Sequence, residues 1–130
     1  MKLKNLLKLQ FIYCLLGLLF NLISWIFIAY NYQALTSTIP VEGIAAMSIY
    51  GTFLLTGYFR KIGWYRFLMF ISIIIFGYGG VVKHIFSLSQ SPELYHSFSA
   101  GITGIMINIF GVVLNLIATL GLFKITTTEK

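Results

Sequence analysis

The sequence predicts an all-α integral membrane protein: a four-helix bundle, antiparallel and up-down-up-down, with both termini on the cytoplasmic side. Three observations carry that expectation. Of the 130 residues, 58% are hydrophobic and only 9% are charged, whereas a soluble domain carries about 25% charge to cover its surface. The apolar residues gather into four runs, 9–30, 40–59, 64–85 and 98–123, each near the ~20 helical residues that cross a ~30 Å hydrocarbon core. Laid out that way, Lys2, Lys4, Lys8, Arg60, Lys61, Arg66, Lys124 and Lys130 fall on one side and Lys83 alone on the other. Short loops rich in Lys and Arg stay cytoplasmic. That sets the orientation and points to the plasma (inner) membrane. The net charge of +6 is thereby explained by insertion. No nucleic-acid partner is expected, since that needs a clustered basic face on a soluble module.

The first run follows Met1 to Lys8, where lysines are interspersed with leucines. A secretory signal peptide also opens with lysines, but its apolar core is only about 7–15 residues long. This run is longer, and Ala29-Tyr30-Asn31 is a poor cleavage site, so it is read as a retained anchor helix. Gln10, Cys14, Gly17, Asn21 and Ser24 recur along it at spacings of four and three, which places them on one helical face. Cys14 is the only cysteine, so neither an intramolecular disulfide nor a cysteine metal set can form. It is read as a small apolar filler.

The uncharged stretch 31–39 is a loop. Pro40 suits a first helical turn and Glu42 the positive end of the helix dipole, opening a second span on which Ala45, Ser48, Thr52 and Thr56 form a moderately polar face. The link from Arg60 to Gly63 is so short that spans two and three must be antiparallel neighbours. Trp64 and Tyr65 beside Arg66 mark a membrane boundary, and Trp25, Tyr30, Tyr32 and Tyr95 fall near the opposite one. Gly77-Tyr78-Gly79-Gly80 in the third span reads as a place of close helix approach rather than a bend. Ser91-Pro92-Glu93 has the form of a helix start and predicts a short surface helix over 92–97. On it Glu93 and His96 would share a face. The tail from Lys124 onward reads as frayed.

The fourth span has the clearest pattern. Gly101, Gly104, Asn108, Gly111, Asn115 and Ala118 recur at spacings of three and four, a narrow face of small and amide residues on an otherwise greasy helix. Small residues let another helix come close, and amides need partners away from lipid. The average spacing of 3.5 is that of left-handed helix packing. Helices one and four, with matching seams, are expected to touch.

No phosphate-binding glycine loop, nucleophile elbow, HExxH or cysteine-rich ligand set is present, so no catalytic residue, cofactor or metal is assigned. Two groups of residues remain as candidates. Glu42, Lys83, His84, Glu93 and His96 all fall at the outer face. They read first as boundary residues bathed in water and headgroups, and more sharply as a pH-sensitive or metal-binding patch. Gly17, Asn21, Ser24, Gly101, Gly104, Asn108, Gly111 and Asn115 read first as interhelical glue, and more sharply as a polar lining for a solute. No Asp, Glu, Lys or Arg lies mid-span, as proton-coupled transport generally needs. The leading expectation is a non-enzymatic subunit or accessory protein acting by association in the lipid bilayer, as a homo-oligomer or with another membrane protein. A small solute or ion transporter with an Asn-lined path is the alternative. A lipid-, quinone- or metal-binding protein, or membrane enzyme, using the outer Glu/His cluster is the second.

Overall fold

The computed structural model describes residues 1–127; Lys130 of the cation count and the end of the tail lie outside them. The described chain is helical: α1 (Leu3–Ala29), α2 (Pro40–Tyr58), α3 (Ile62–Gln90) and α4 (Phe98–Leu120). Three of these, α1, α3 and α4, are long and apolar enough to cross a membrane. The 19 residues of α2 are diluted by Glu42, three glycines and the hydroxyls of Ser48, Thr52 and Thr56, which lowers its apolarity rather than its length.

Several helix limits differ from expectation, each for a local reason. α1 starts at Leu3 because Leu3 and Leu6 are buried in the core, while Lys4 and Lys8 on the other side are exposed and can reach toward water on long stems. Pro40 does open α2, with Glu42 in its first turn. α3 continues to Gln90, past Ile85. The surface helix over 92–97 is not formed: only Pro92–Leu94 makes a single 3-10 turn, and Tyr95 returns to extended backbone. The true start of α4 is capped by Ser97, whose Oγ accepts from the Ala100 N–H (3.0 Å). Its end is set by Gly121 at φ 72°, a left-handed conformation that glycine adopts without a Cβ penalty.

Gly77 to Gly80 do more than admit a neighbour. Gly77–Val82 is a π-helical segment inside α3, and it changes which residues face inward. Tyr65, Met69, Ser72 and Phe76 are buried at α-helical spacing. An unbroken α-helix would next turn Lys83 and Ser87 inward. The extra residue of the wider turn slips the register by one, so Gly80, His84 and Leu88 are buried instead. Lys83 is left exposed.

The two ends of the molecule gather different parts of the chain. At one end Leu3 N–H donates to Lys124 O (2.9 Å) and Lys124 N–H to Met1 O (2.8 Å), while Arg66 Nε donates to Thr119 O (3.0 Å) and Arg60 Nη2 to Thr126 O (3.1 Å). The tail is therefore tied down as far as Thr126, not frayed from Lys124. At the other end Leu35 N–H donates to Ser24 Oγ (3.0 Å) and Gln33 Nε2 to Leu94 O (3.2 Å).

Both seams face inward, and α1 and α4 touch as expected. The seams meet directly where Gln10 Nε2 donates to Asn115 Oδ1 (3.1 Å), but their glycines are filled by side chains from outside the seams. Several glycines receive a large side chain from a neighbour: Gly17 takes Met47, Gly43 takes Asn21, Gly80 takes Asn108, Gly101 takes Leu88 and Gly111 takes the ring of Tyr13. Close packing of this kind maximises dispersion contact, the main attraction available between helices in lipid.

Candidate functional site

Below the 36–39 loop the four helices diverge around a cavity of about 350 Å³. The register slip in α3 builds one wall, placing Gly79, Gly80, Lys83 and His84 on it. Glu42 from α2, Asn21 from α1 and Asn108 from α4 complete its polar lining. Members of two groups that the sequence kept apart, Glu42, Lys83 and His84 of the outer ionisable residues and Asn21 and Asn108 of the intramembrane amides, thus share one space.

His84 is buried, not a boundary residue in water: it is 6% exposed. Thr38 Oγ1 lies 2.8 Å from its Nε2 and Tyr95 OH 2.7 Å from its Nδ1. Ser37 Oγ joins Tyr95 OH at 3.1 Å. Each ring nitrogen faces a hydroxyl that can donate or accept, so either neutral tautomer is satisfied. Tyr95, expected at the outer boundary, is buried at 4% because its hydroxyl serves this network. The Glu93–His96 pair does not form a shared helical face. Both are exposed outside the cavity, and His96 lies edge-on to Phe27 (4.9 Å). Among the described residues, no three His, Cys, Asp or Glu side chains come together to hold a metal ion.

The amides differ in their commitments. Asn108 is engaged through both amide atoms, with one acceptor site on Oδ1 left over: Oδ1 accepts from Tyr13 OH (3.0 Å), and Nδ2 donates to Gly104 O (3.1 Å) and Gly80 O (3.3 Å). Asn21 Nδ2 donates back to Gly17 O (2.8 Å), with its amide lying over Gly43. Ser24 and Gly101 belong to the loop end, Ser24 holding Leu35 and Gly101 seating Leu88 and Tyr95.

Phe76, on the cavity wall, stands edge-to-face with Tyr13 (5.9 Å) and Tyr50 (5.6 Å), which are themselves 5.2 Å apart. Gly111 supplies the space for the Tyr13 ring. Of this aromatic layer, Phe76 alone lines the cavity. Beyond it lies a second polar layer, fully buried: Tyr65 OH donates to Gln10 Oε1, while Gln10 Nε2 (3.1 Å) and Tyr50 OH (2.6 Å) both donate to Asn115 Oδ1. Asn115 Nδ2 has no partner among the described residues. Cys14 is the buried filler expected, its Sγ 3.3 Å from Met47 O.

Sequence reasoning missed Tyr13 and Tyr50 and set Tyr65 at the membrane boundary, whereas all three are buried. The available signal was that tyrosine in mid-span, away from the headgroups where it usually sits, must find a hydroxyl partner inside. Compared with protein families, curated proteins and solved structures, the chain matches none.

Proposed function

We propose that the chain is a four-span, non-enzymatic plasma-membrane protein that binds a small polar ligand in the cavity at its outer end. The observation that carries this is the meeting of Glu42, Lys83 and His84 with Asn21 and Asn108 around one space of about 350 Å³, within the 300–1,000 Å³ typical of ligand pockets. Such a lining offers charge of both signs as well as neutral donors and acceptors. It suits a compact solute carrying both anionic and cationic or donor groups. The up-down-up-down bundle with both termini cytoplasmic is supported by the pairing of Lys2 with Lys124. All described cations but Lys83 belong to that end, as the positive-inside rule favours.

The Tyr13–Tyr50–Phe76 layer favours binding over an open channel, since a permeating solute would have to part three packed rings. Association with a second membrane protein or copy is a second reading. It is favoured by α2, whose Ala45, Ser48 and Thr52 are exposed although they are the small residues that close helix contact uses.

Gly79 provides the test. It lines the cavity, and a Cβ there would meet nothing within 4 Å. Gly79→Cys, in a Cys14→Ser background, is expected to react with a membrane-impermeant thiol reagent from outside the cell. Gly79→Phe is expected to abolish the small molecule that co-purifies with the parent in mild detergent. A Gly79→Cys thiol that reacts only after permeabilisation, or a parent protein free of any such ligand, would contradict the proposal.

A further inference from the structure

The second polar layer draws one residue from each helix, Gln10, Tyr50, Tyr65 and Asn115, and two polar groups in and beside it have no partner among the described residues. Asn115 is 0% exposed. Its Oδ1 accepts from both Gln10 Nε2 (3.1 Å) and Tyr50 OH (2.6 Å), yet its Nδ2 donates to nothing. Thr119 Oγ1, equally sealed from the surface, is unpartnered as well. Helical hydroxyls commonly donate to a carbonyl of the preceding turn. Ser48, Ser72 and Thr103 do so here, to the carbonyls of Ile44, Leu68 and Ser99. Thr119 does not, which leaves its hydroxyl free to serve something else. Residues four apart share one face of a helix, with Cβ atoms about 5–6 Å apart. One water, bonding at about 3 Å to each side, spans such a gap.

We infer that a single buried water joins Asn115 Nδ2 to Thr119 Oγ1, accepting from the amide and bonding the hydroxyl. Two polar partners suffice to hold a buried water, and leaving an amide N–H unpaired in an apolar interior is costly. A halide could accept from the same donors, but burying an ion costs far more than immobilising a water. The layer around Asn115 is neutral, and Arg66, whose Nε donates to Thr119 O (3.0 Å), is exposed to solvent. The inference rests on the packing of the bundle and not on the ligand cavity, whose lining includes neither residue.

The test is a crystal structure of the full chain, with parallel crystals grown in bromide, joined to unfolding of variants by sodium dodecyl sulfate. The expected result is solvent density about 2.7–3.2 Å from both Asn115 Nδ2 and Thr119 Oγ1, with no anomalous bromide signal there. Thr119→Ser, which keeps the hydroxyl, should retain the density. Thr119→Val keeps the side-chain shape but withdraws one of the water's two partners, so it should lose the density and raise the unfolding constant about threefold. In an Asn115→Leu background, where the other partner is already gone, Thr119→Val should cost nothing further. A hydroxyl with no water would give the opposite sign, since valine would then remove a buried unsatisfied group and stabilise the protein. A bromide peak at the site, no density between the two groups, or stabilisation by Thr119→Val would overturn the inference. The crystals of the parent chain decide the matter even if a variant fails to fold.

Discussion

Replacing Gly111 by alanine adds one methyl group where the structure leaves no room for it. The new Cβ would clash with the Cζ, Cε1 and Cε2 atoms of the Tyr13 ring. That ring is 0% exposed and edge-packed on Tyr50 and Phe76, so it cannot step aside without disturbing the whole layer. Overpacking of this kind costs about 1–3 kcal/mol. Moving the ring also strains the Tyr13–Asn108 hydrogen bond of 3.0 Å, an interaction averaging about 0.6 and reaching about 1.7 kcal/mol in membrane proteins. Against this, alanine is the better helix former by about 1 kcal/mol. The net expectation is a loss of about 1–4 kcal/mol.

Gly63→Ala is the matched control, because a Cβ there meets nothing within 4 Å; it should be neutral or slightly stabilising. Unfolding by sodium dodecyl sulfate from mild detergent, followed by circular dichroism, measures both. Tyr13→Leu should lessen the cost of Gly111→Ala, a non-additivity that marks direct contact. If Gly111→Ala unfolds with Gly63→Ala, or if the double variant is simply additive, the aromatic layer is not packed as described.

Asn115→Leu should destabilise by about 1–3 kcal/mol, since it strands the buried Tyr50 hydroxyl and Gln10 amide that both donate to Asn115 Oδ1. Tyr50→Phe, which removes one donor and leaves the acceptor partly satisfied, should cost less in the same titration. Gly121→Ala should cost about 1–2 kcal/mol, because its φ of 72° lies where a Cβ crowds the backbone. Ser24→Ala should speed deuterium exchange at the Leu35 amide, which donates to Ser24 Oγ, without a comparable change in α4.

The inward faces were legible because helical periodicity alone decides them. Gln10, Cys14, Gly17 and Ser24 on α1, and Gly101, Gly104, Gly111, Asn115 and Ala118 on α4, are buried. Periodicity says which face turns inward but not what meets it, so the side chains filling Gly17, Gly101, Gly104 and Gly111 were not foreseeable. The position of His84 was hidden for a different reason. Helical phase carried forward from Phe76 puts Lys83 inside, and only the spacing of four through Phe76, Gly80, His84 and Leu88 betrays the slip. Tyr95 misled because an aromatic beside Glu93 and His96 looks interfacial by sequence. Its partner, His84, lies 11 residues earlier, on α3.

Cysteine labelling at Gln33 and at Gly63, each in a Cys14→Ser background in intact cells, tests the membrane arrangement most directly. Both residues are exposed, at opposite ends of the molecule. The account predicts that Gln33→Cys reacts with an impermeant maleimide from outside and that Gly63→Cys reacts only after permeabilisation. Labelling of both positions in intact cells, or of Gly63→Cys alone, would contradict it.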